Sequence, residues 1–165
     1  MSWYVVQTRS NHEALVETGL KCRGLETFLP RIAVPSRRRD RSRLLEAPLF
    51  PGYLFVCADL QSHLYYDVLK HRGVVRILGS HGRVTPVPPD TIHAIHTFLE
   101  SGRPLYCHPR LEHGMQVRIA AGPLRGASGV ILRQKQGRKR LVVSIALLGW
   151  AIAVDLDEDA VEPYQ

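Results

Sequence analysis

Residues 111–165 alternate short β-leaning segments with glycine turns, and this pattern limits the fold of the chain more than any other. The segments are rich in valine, leucine and isoleucine, and Gly122, Gly137 and Gly149 separate them. They lie at residues 117–120, 127–133, 141–147 and 151–156 and at the end near Val161. Five short strands in about 50 residues predict a small closed or nearly closed β-barrel.

The first part of the chain mixes strand and helix patterns. Residues 3–6 form a strand-like run, Ser10 or Asn11 is a suitable N-cap for a following helix, and Gly24 ends that helix. The predicted apolar positions of the helix are Leu15, Val16 and Leu20. Further strands are predicted at residues 28–34, 44–56 and 73–78, and further helices at 63–71 and 88–102. This order predicts an α+β fold in which helices pack against an antiparallel sheet.

Residues 103–110 separate these two parts. They contain two prolines and little periodicity, which is typical of a linker. We therefore predict a first domain at residues 1–102, a linker at 103–110 and a second domain at 111–165.

The charge of the chain is basic and unevenly placed. Lysine and arginine number 22 against 15 acids, a net charge of +7. Residues 155–165 hold five acids and no base, so residues 1–154 carry 22 bases and 10 acids, a net of +12. Eighteen of the bases are arginine, whose planar fork binds phosphate in a bidentate manner. This bias favours a polyanion partner, and a solvated basic surface is the alternative.

Several classes of protein do not fit the sequence. The amino terminus has too short an apolar run for a secretory signal. The longest uncharged stretch, residues 141–154, is shorter than the roughly 20 residues of a spanning helix. Cys22, Cys57 and Cys107 form no C-x-x-C pair, which fits a reducing compartment. We therefore predict a cytoplasmic protein with no membrane partner.

The sequence also lacks the signals of catalysis. It contains no G-x-S-x-G, no P-loop and no H-E-x-x-H. His93 and His96, and the group of Cys107, His108 and His113, do not reach the spacing of a structural zinc site. We predict that the chain is not an enzyme and has no cofactor or metal.

Residues 37–43 are the strongest electrostatic feature, with five arginines and one aspartate between two apolar strands. They predict a basic hairpin tip that contacts phosphates without reading sequence, or else a solvated tip. If the other basic positions converge with them, single-stranded nucleic acid is a reasonable ligand. The predicted nucleic-acid-binding residues are Arg9, Asn11, Arg37, Arg38, Arg39, Arg41, Arg43 and Arg72.

Residues 48–56 carry three aromatic side chains around a proline–glycine bend. Alternation along a strand puts Tyr53 and Phe55 on one face, and Leu54 and Val56 on the other. A sheet with helices on one face leaves a second face, where Tyr53 and Phe55 would form an exposed apolar patch typical of a partner site. The alternative is that both residues belong to the ordinary core.

Several of these segments together resemble the NusG family of transcription elongation factors. They are WYVVQTRSNHE at 3–13, PLFPGYLFV at 48–56, RGVVRIL at 72–78 and GMQVRIAAGPLRGASGVI at 114–131. The last of these is similar to the KOW motif of the family's SH3-like barrel, with Gly122 at the turn, and residues 140–163 are similar to the end of that barrel. PLFPGYLFV and the Arg-Gly-Val turn resemble the specialised RfaH-like paralogues most.

The resemblance implies a non-enzymatic factor that acts on bacterial RNA polymerase. In this family the first domain docks on the clamp helices of the β′ subunit and bridges the cleft to the β subunit gate loop. That contact reduces pausing and promotes readthrough of specific operons. The polymerase-binding positions implied here are Phe50, Pro51, Tyr53, Phe55, Val74 and Ile77. The basic residues would guide the non-template DNA strand or nascent RNA.

The chain also departs from the RfaH pattern. The gate-loop contact falls on Leu64-Tyr65-Tyr66, and a pocket tyrosine of the first strand falls on Gln7. The barrel positions that meet a small-subunit ribosomal protein or Rho correspond to Leu147, Leu148 and Trp150, which could instead be barrel core. We expect a monomer. The alternative function is a KOW-type RNA-binding or ribosome-associated protein.

Overall fold

A computed structural model of the chain describes residues 1–36, 44–60, 63–80 and 83–102, together with the backbone of six strands between residues 105 and 163. The chain divides into two compact units, Met1–Pro89 and Asp90–Gln165. The predicted mixture of helices and antiparallel sheets is confirmed in both units. No helix in the described part of the chain has the length and apolar character needed to cross a membrane.

The first unit is built on an antiparallel four-stranded sheet. Its elements are β1 (Ser2–Thr8), α1 (Glu13–Lys21), β2 (Glu26–Phe28), β3 (Arg31–Pro35), β4 (Leu44–Pro48), β5 (Tyr53–Ala58), α2 (Leu64–Leu69), β6 (Val74–Ile77), β7 (Gly79–Ser80) and β8 (Arg83–Val84). The strand order of the sheet is β2-β5-β1-β6. Strands β3 and β4 form a separate ribbon, and β7 and β8 form a short hairpin.

One face of the sheet packs against the helices. Val16 and Leu20, one turn apart on α1, are completely buried in the cluster that also contains Leu54 and Val56 of β5. The alternation predicted for residues 53–56 is therefore confirmed for this face. Leu15, predicted as part of the apolar face of α1, is half exposed. Successive residues of a helix are about 100° apart around its axis, so Leu15 lies towards the solvent side while Val16 faces the core.

The ends of α1 are fixed differently from one another. The predicted N-cap at Ser10 or Asn11 is wrong, because His12 occupies that position and Asn11 takes a left-handed conformation with φ of 59°. The predicted end at Gly24 is confirmed. Gly24 has φ of 77°, and its N–H donates to the Lys21 carbonyl oxygen at 2.9 Å. A left-handed glycine just beyond the last turn is the usual way to satisfy free helix carbonyls.

The second unit begins in the first turn of α3 (Pro89–Glu100), in which Ile92, Ile95 and Phe98 are buried at helical spacing. Six antiparallel strands follow in the order β14-β10-β11-β12-β13-β9. They are β9 (Leu105–His108), β10 (Met115–Ile119), β11 (Ser128–Lys135), β12 (Arg138–Ile145), β13 (Trp150–Asp157) and β14 (Val161–Pro163). The five predicted strands correspond to β10–β14. Strand β9, which pairs with β13, lies within the predicted linker. Barrel closure and the domain bounds stay predictions.

Candidate functional site

A tight turn carries the aromatic motif into β5. The Tyr53 N–H donates to the Phe50 carbonyl oxygen at 3.1 Å, so Pro51 and Gly52 are the two central residues of a four-residue turn. Gly52 has φ of 82°, which is the value that a type II turn requires at its third position. Pro51 occupies the second position of the turn, where its ring fixes its own φ angle at the value that the turn requires. The Pro-Gly pair therefore fixes where Tyr53 enters the sheet.

Three loops meet around this turn, and we call their meeting point the loop junction: residues 9–13, 50–53 and 72–73. The Thr8 N–H donates to the Gly52 carbonyl oxygen at 2.8 Å, and the Arg9 N–H donates to the Gly73 carbonyl oxygen at 2.8 Å. The Gly52 N–H donates to the buried carboxylate of Glu13 at 2.7 Å. The start of α1 is thereby tied to the aromatic turn on one side and to the Arg-Gly turn on the other.

The loop junction brings together three of the predicted nucleic-acid-binding residues. Arg9, Asn11 and Arg72 are all exposed, and the hydrogen bond between the backbones of Arg9 and Gly73 places Arg72 beside the start of α1. The other five, Arg37, Arg38, Arg39, Arg41 and Arg43, lie outside the described residues. Arg9, Asn11 and Arg72 therefore lie in neighbouring loops, and their convergence with residues 37–43 stays a prediction.

The second face of the sheet is arranged in rows that cross the strands. The register of β5, β1 and β6 places Tyr53, Gln7 and Arg76 side by side, and we call them the outer row. Two residues further along the strands, Phe55 pairs with Val5 and with Phe28 in the inner row. The outer row is partly or fully exposed, whereas Val5 and Phe55 are completely buried.

The predicted exposed patch of Tyr53 and Phe55 is therefore wrong for Phe55. Phe28 stacks on Phe55 with ring centroids 5.9 Å apart, and the buried Phe50 meets it edge-on at 6.1 Å. Such ring pairs stabilise a cluster beyond their area burial. The aromatic residues cover one another, and Tyr53 is left as the partly exposed aromatic residue of the outer row.

Val74 and Ile77 do not lie with Tyr53. Ile77 is a buried member of the core cluster on the helical face, and Val74 packs against that cluster. Pro51 is exposed at the turn. Of the six predicted polymerase-binding residues, the structure therefore leaves Pro51 exposed, leaves Tyr53 and Val74 partly exposed on different faces, and buries Phe50, Phe55 and Ile77.

The remaining predicted contact residues are placed as follows. Tyr65 and Tyr66 lie in α2, with ring centroids 5.2 Å apart; Tyr65 packs against the core cluster and Tyr66 is exposed. Leu147 and Leu148 lie outside the described residues, and Trp150 is described only as the first backbone position of β13.

The sequence reasoning missed two buried carboxylates on α1. Glu13 holds the aromatic turn, as described above. Glu17 forms ion pairs with Lys21 at 2.8 Å and with Arg31 at the start of β3. It thereby fixes the start of the ribbon formed by β3 and β4. Glu13 and Glu17 are four residues apart and share a helix face with Val16 and Leu20. That spacing indicates that both carboxylates face inward.

Cys57 lies on the same face in the row beyond the inner row, where it pairs with Trp3 and Glu26. Burial raises the pKa of its thiol, and the neighbouring carboxylate of Glu26 raises it further. Among the described residues no group of three or more histidine, cysteine or acidic side chains could hold a metal ion.

We expect iodoacetamide at pH 8 to modify Cys22 at least about fivefold faster than Cys57, because the thiolate is the reactive form and Cys22 is exposed. The raised pKa of Cys57 favours its neutral thiol in the folded state. The difference between the two modification rates should therefore narrow as the pH rises above 9. The stability that this protonated thiol contributes is lost over the same range. Peptide mapping by mass spectrometry measures both rates, and equal rates at pH 8 would contradict the placement of Cys57.

Comparison with known proteins agrees with this architecture. The family profile described as transcription termination factor NusG matches residues 1–96. The transcription termination/antitermination protein NusG of Escherichia coli K12 is 31% identical over 173 residues, covering 97% of this chain and 94% of the relative. The NusG of Borreliella burgdorferi is 26% identical over 98% of this chain and 97% of the relative.

A solved structure extends the likeness to the fold. The structure described as domain interaction in Thermotoga maritima NusG is 26% identical, covers 99% of this chain and 97% of that one, and has a TM-score of 0.58. Fold and relatives together define a class of transcription termination and antitermination factors. The chain belongs to the NusG family.

Proposed function

We propose that this NusG-like factor binds elongating RNA polymerase through the outer row and the aromatic turn, with the clamp helices of the β′ subunit as its docking site. The observation that carries the proposal is the placement of Tyr53. It is a partly exposed aromatic side chain at the edge of a rigid, buried aromatic cluster. Aromatic anchors on a preorganised surface contribute most of the energy of many protein interfaces. Binding that holds the polymerase in its elongating state shifts the population away from pausing.

The loop junction is the proposed path for nucleic acid. Its exposed cations, Arg9 and Arg72, would meet phosphates of the non-template DNA strand or of nascent RNA, and the arginine-rich segment at residues 37–43 would extend the path. The backbone bonds from Thr8 and Arg9 hold this basic surface and the aromatic turn in one rigid unit. Polymerase binding would thus position the cations over the strand.

The finer parts of the proposal concern specialisation. We propose an RfaH-like role in readthrough of specific operons, with a KOW-containing SH3-like barrel at residues 111–165. Leu147, Leu148 and Trp150 would meet a small-subunit ribosomal protein or Rho. Tyr65 and the exposed Tyr66 would replace the usual gate-loop contact of the β subunit, with their hydroxyl groups as hydrogen-bond partners.

The test is the Tyr53→Ala variant in transcription over a pause site with purified bacterial RNA polymerase. We expect it to weaken polymerase binding roughly 30-fold and to remove the reduction of pausing, as for a hot-spot aromatic residue. Tyr53→Phe is the matched control, because it keeps the ring, and it should retain most of the activity.

Two further measurements make the result decisive. The urea unfolding curve of Tyr53→Ala should stay close to that of the unchanged chain, since the residue is only partly buried. Affinity for RNA alone should also be unchanged. A pausing pattern that is the same with and without the unchanged protein would contradict the proposal. If Tyr53→Ala leaves both polymerase binding and RNA affinity unchanged, a KOW-type RNA-binding protein is favoured.

A further inference from the structure

The outer row contains an arginine that the binding proposal has not used. The Nε of Arg76 donates a hydrogen bond to Oε1 of Gln7 at 2.8 Å, across the β1–β6 pair. Arg76 is exposed, and Gln7 is partly exposed. Because the acceptor is a neutral amide, the bond orients the guanidinium group without neutralising its charge. Its terminal amino groups carry four more N–H donors in a fixed plane.

No carboxylate of the described residues lies in the outer row. Its members are Tyr53, Gln7 and Arg76. Glu26, which pairs with Cys57, belongs to the row on the other side of the buried inner row. Within the described residues, the outer row therefore presents a phenol, an amide and an oriented positive charge in a line across three strands.

We propose that Arg76 is a second anchor of the polymerase-binding face, and that it pairs with a carboxylate side chain on the helical partner that Tyr53 contacts. The inference rests on the proposed function and adds the chemistry of the partner. Tyr53 and Arg76 lie two strands apart, which is about 10 Å. Seven residues of an α-helix span about the same distance, so one helix lying across the strands can present an apolar residue to Tyr53 and an acid to Arg76.

Two features favour a protein carboxylate over a nucleic-acid phosphate. The first is the position of Arg76. It shares its row with Tyr53 on the aromatic face, whereas the proposed phosphate-binding residues Arg9 and Arg72 lie at the loop junction. The second is the role of Gln7. With Nε held, the two terminal amino groups can make the paired bonds that a carboxylate accepts in one plane. Gln7 acts as a positioning residue for Arg76.

The experiment measures binding of the full-length chain and its variants to core RNA polymerase at several KCl concentrations. We expect Arg76→Ala to weaken binding about tenfold and to reduce its salt dependence, as for loss of a partly desolvated charge pair. Gln7→Glu should weaken binding to a similar extent, because it keeps Arg76 in place and neutralises it. Gln7→Ala should have a smaller effect, and Arg76→Lys should restore only part of the affinity.

Arg83→Ala is the matched control, since Arg83 is also exposed and its loss changes the net charge equally. It should bind like the unchanged chain. If Tyr53→Ala weakens binding as expected and Arg76→Ala does not change it, the inference is wrong and the proposed function stands. If the unchanged chain does not bind polymerase, both are wrong.

Other occupants of the Arg76 site give different results. If Arg76→Ala weakens binding to single-stranded DNA alone as much as it weakens binding to polymerase, the ligand is a phosphate and the inference is overturned. If Arg76→Ala instead tightens polymerase binding, the charge of Arg76 opposes the contact, and the inference is overturned as well.

Discussion

Replacing Phe55 with alanine should lower the free energy of unfolding of the first unit by about 3–5 kcal/mol, which is the usual cost of removing a buried phenylalanine ring. Phe55 is completely buried, and it touches both neighbours of the aromatic cluster, Phe28 at 5.9 Å and Phe50 at 6.1 Å between ring centroids. Its loss removes transfer energy and leaves a cavity that these rings can fill only in part. Many single domains have a total stability of about 5–15 kcal/mol, so this variant approaches the limit of folding.

Urea unfolding of the full-length chain measures the effect, with Trp3 as the probe. The ring of Trp3 meets Phe28 edge-on at 6.4 Å, so its fluorescence reports on this cluster. A Trp150→Phe background removes the only other tryptophan. Phe55→Leu should cost clearly less, because it fills most of the space. A loss below about 1 kcal/mol in Phe55→Ala would indicate an exposed ring and would restore the patch predicted from the sequence.

This result also determines how the binding face should be studied. A double change at Tyr53 and Phe55 would mix loss of contact with loss of folding, because only Tyr53 is partly exposed. Polymerase binding is therefore tested at Tyr53 and Arg76, and the integrity of the cluster behind them at Phe55.

The sequence correctly indicated which residues share a face of a helix or a strand. The spacing of Val16 and Leu20 identified the buried side of α1, and alternation correctly separated Leu54 and Val56 from Tyr53 and Phe55. Alternation assigns a residue to a face, but it does not say what covers that face. Phe55 is covered by Phe28, which comes from β2, and by Phe50, which the Pro-Gly turn folds back against it.

The strand β6 shows a second limit. Its register with β1 shifts between Gln7 and Thr8: Arg76 pairs with Gln7, whereas Val74, two positions earlier, pairs with Thr8. An extra residue in one strand changes which side chains share a face. Val74 and Ile77 consequently both pack on the helical side, and Arg76 joins the outer row. A bulge of this kind depends on pairing between distant segments, which no local pattern records.

The start of α1 shows a third limit. Ser10 and Asn11 are residue types that favour an N-cap. The backbone bond from Arg9 to Gly73 and the bond from Gly52 to Glu13 hold this loop instead, and His12 becomes the capping position. Tertiary contacts have replaced the local signal, and they do so at the point where the candidate nucleic-acid path begins.

Replacing Gly73 with alanine should lower the free energy of unfolding by about 2–4 kcal/mol, which combines left-handed backbone strain with overpacking. Gly73 has φ of 98°, and a Cβ atom there would lie 3.0 Å from Cγ2 of Val16 and 3.2 Å from Cβ of His12. Val16 is completely buried and cannot move aside freely. The strain falls on the turn whose carbonyl oxygen receives the Arg9 N–H, so Arg72 and Arg9 should separate.

Gly24→Ala is the matched control for this change. Gly24 also has a positive φ, 77°, but a Cβ atom there would meet nothing within 4 Å, so only the backbone strain of about 1–2 kcal/mol applies. Urea unfolding gives both stabilities, and titration with single-stranded DNA gives the affinities. Gly73→Ala should lose more stability and more DNA affinity than Gly24→Ala. Equal losses of stability would mean that the close packing against α1 contributes nothing. Unchanged DNA affinity in a folded Gly73→Ala would separate the loop junction from nucleic-acid binding, because the backbone bond between Arg9 and Gly73 would then be dispensable.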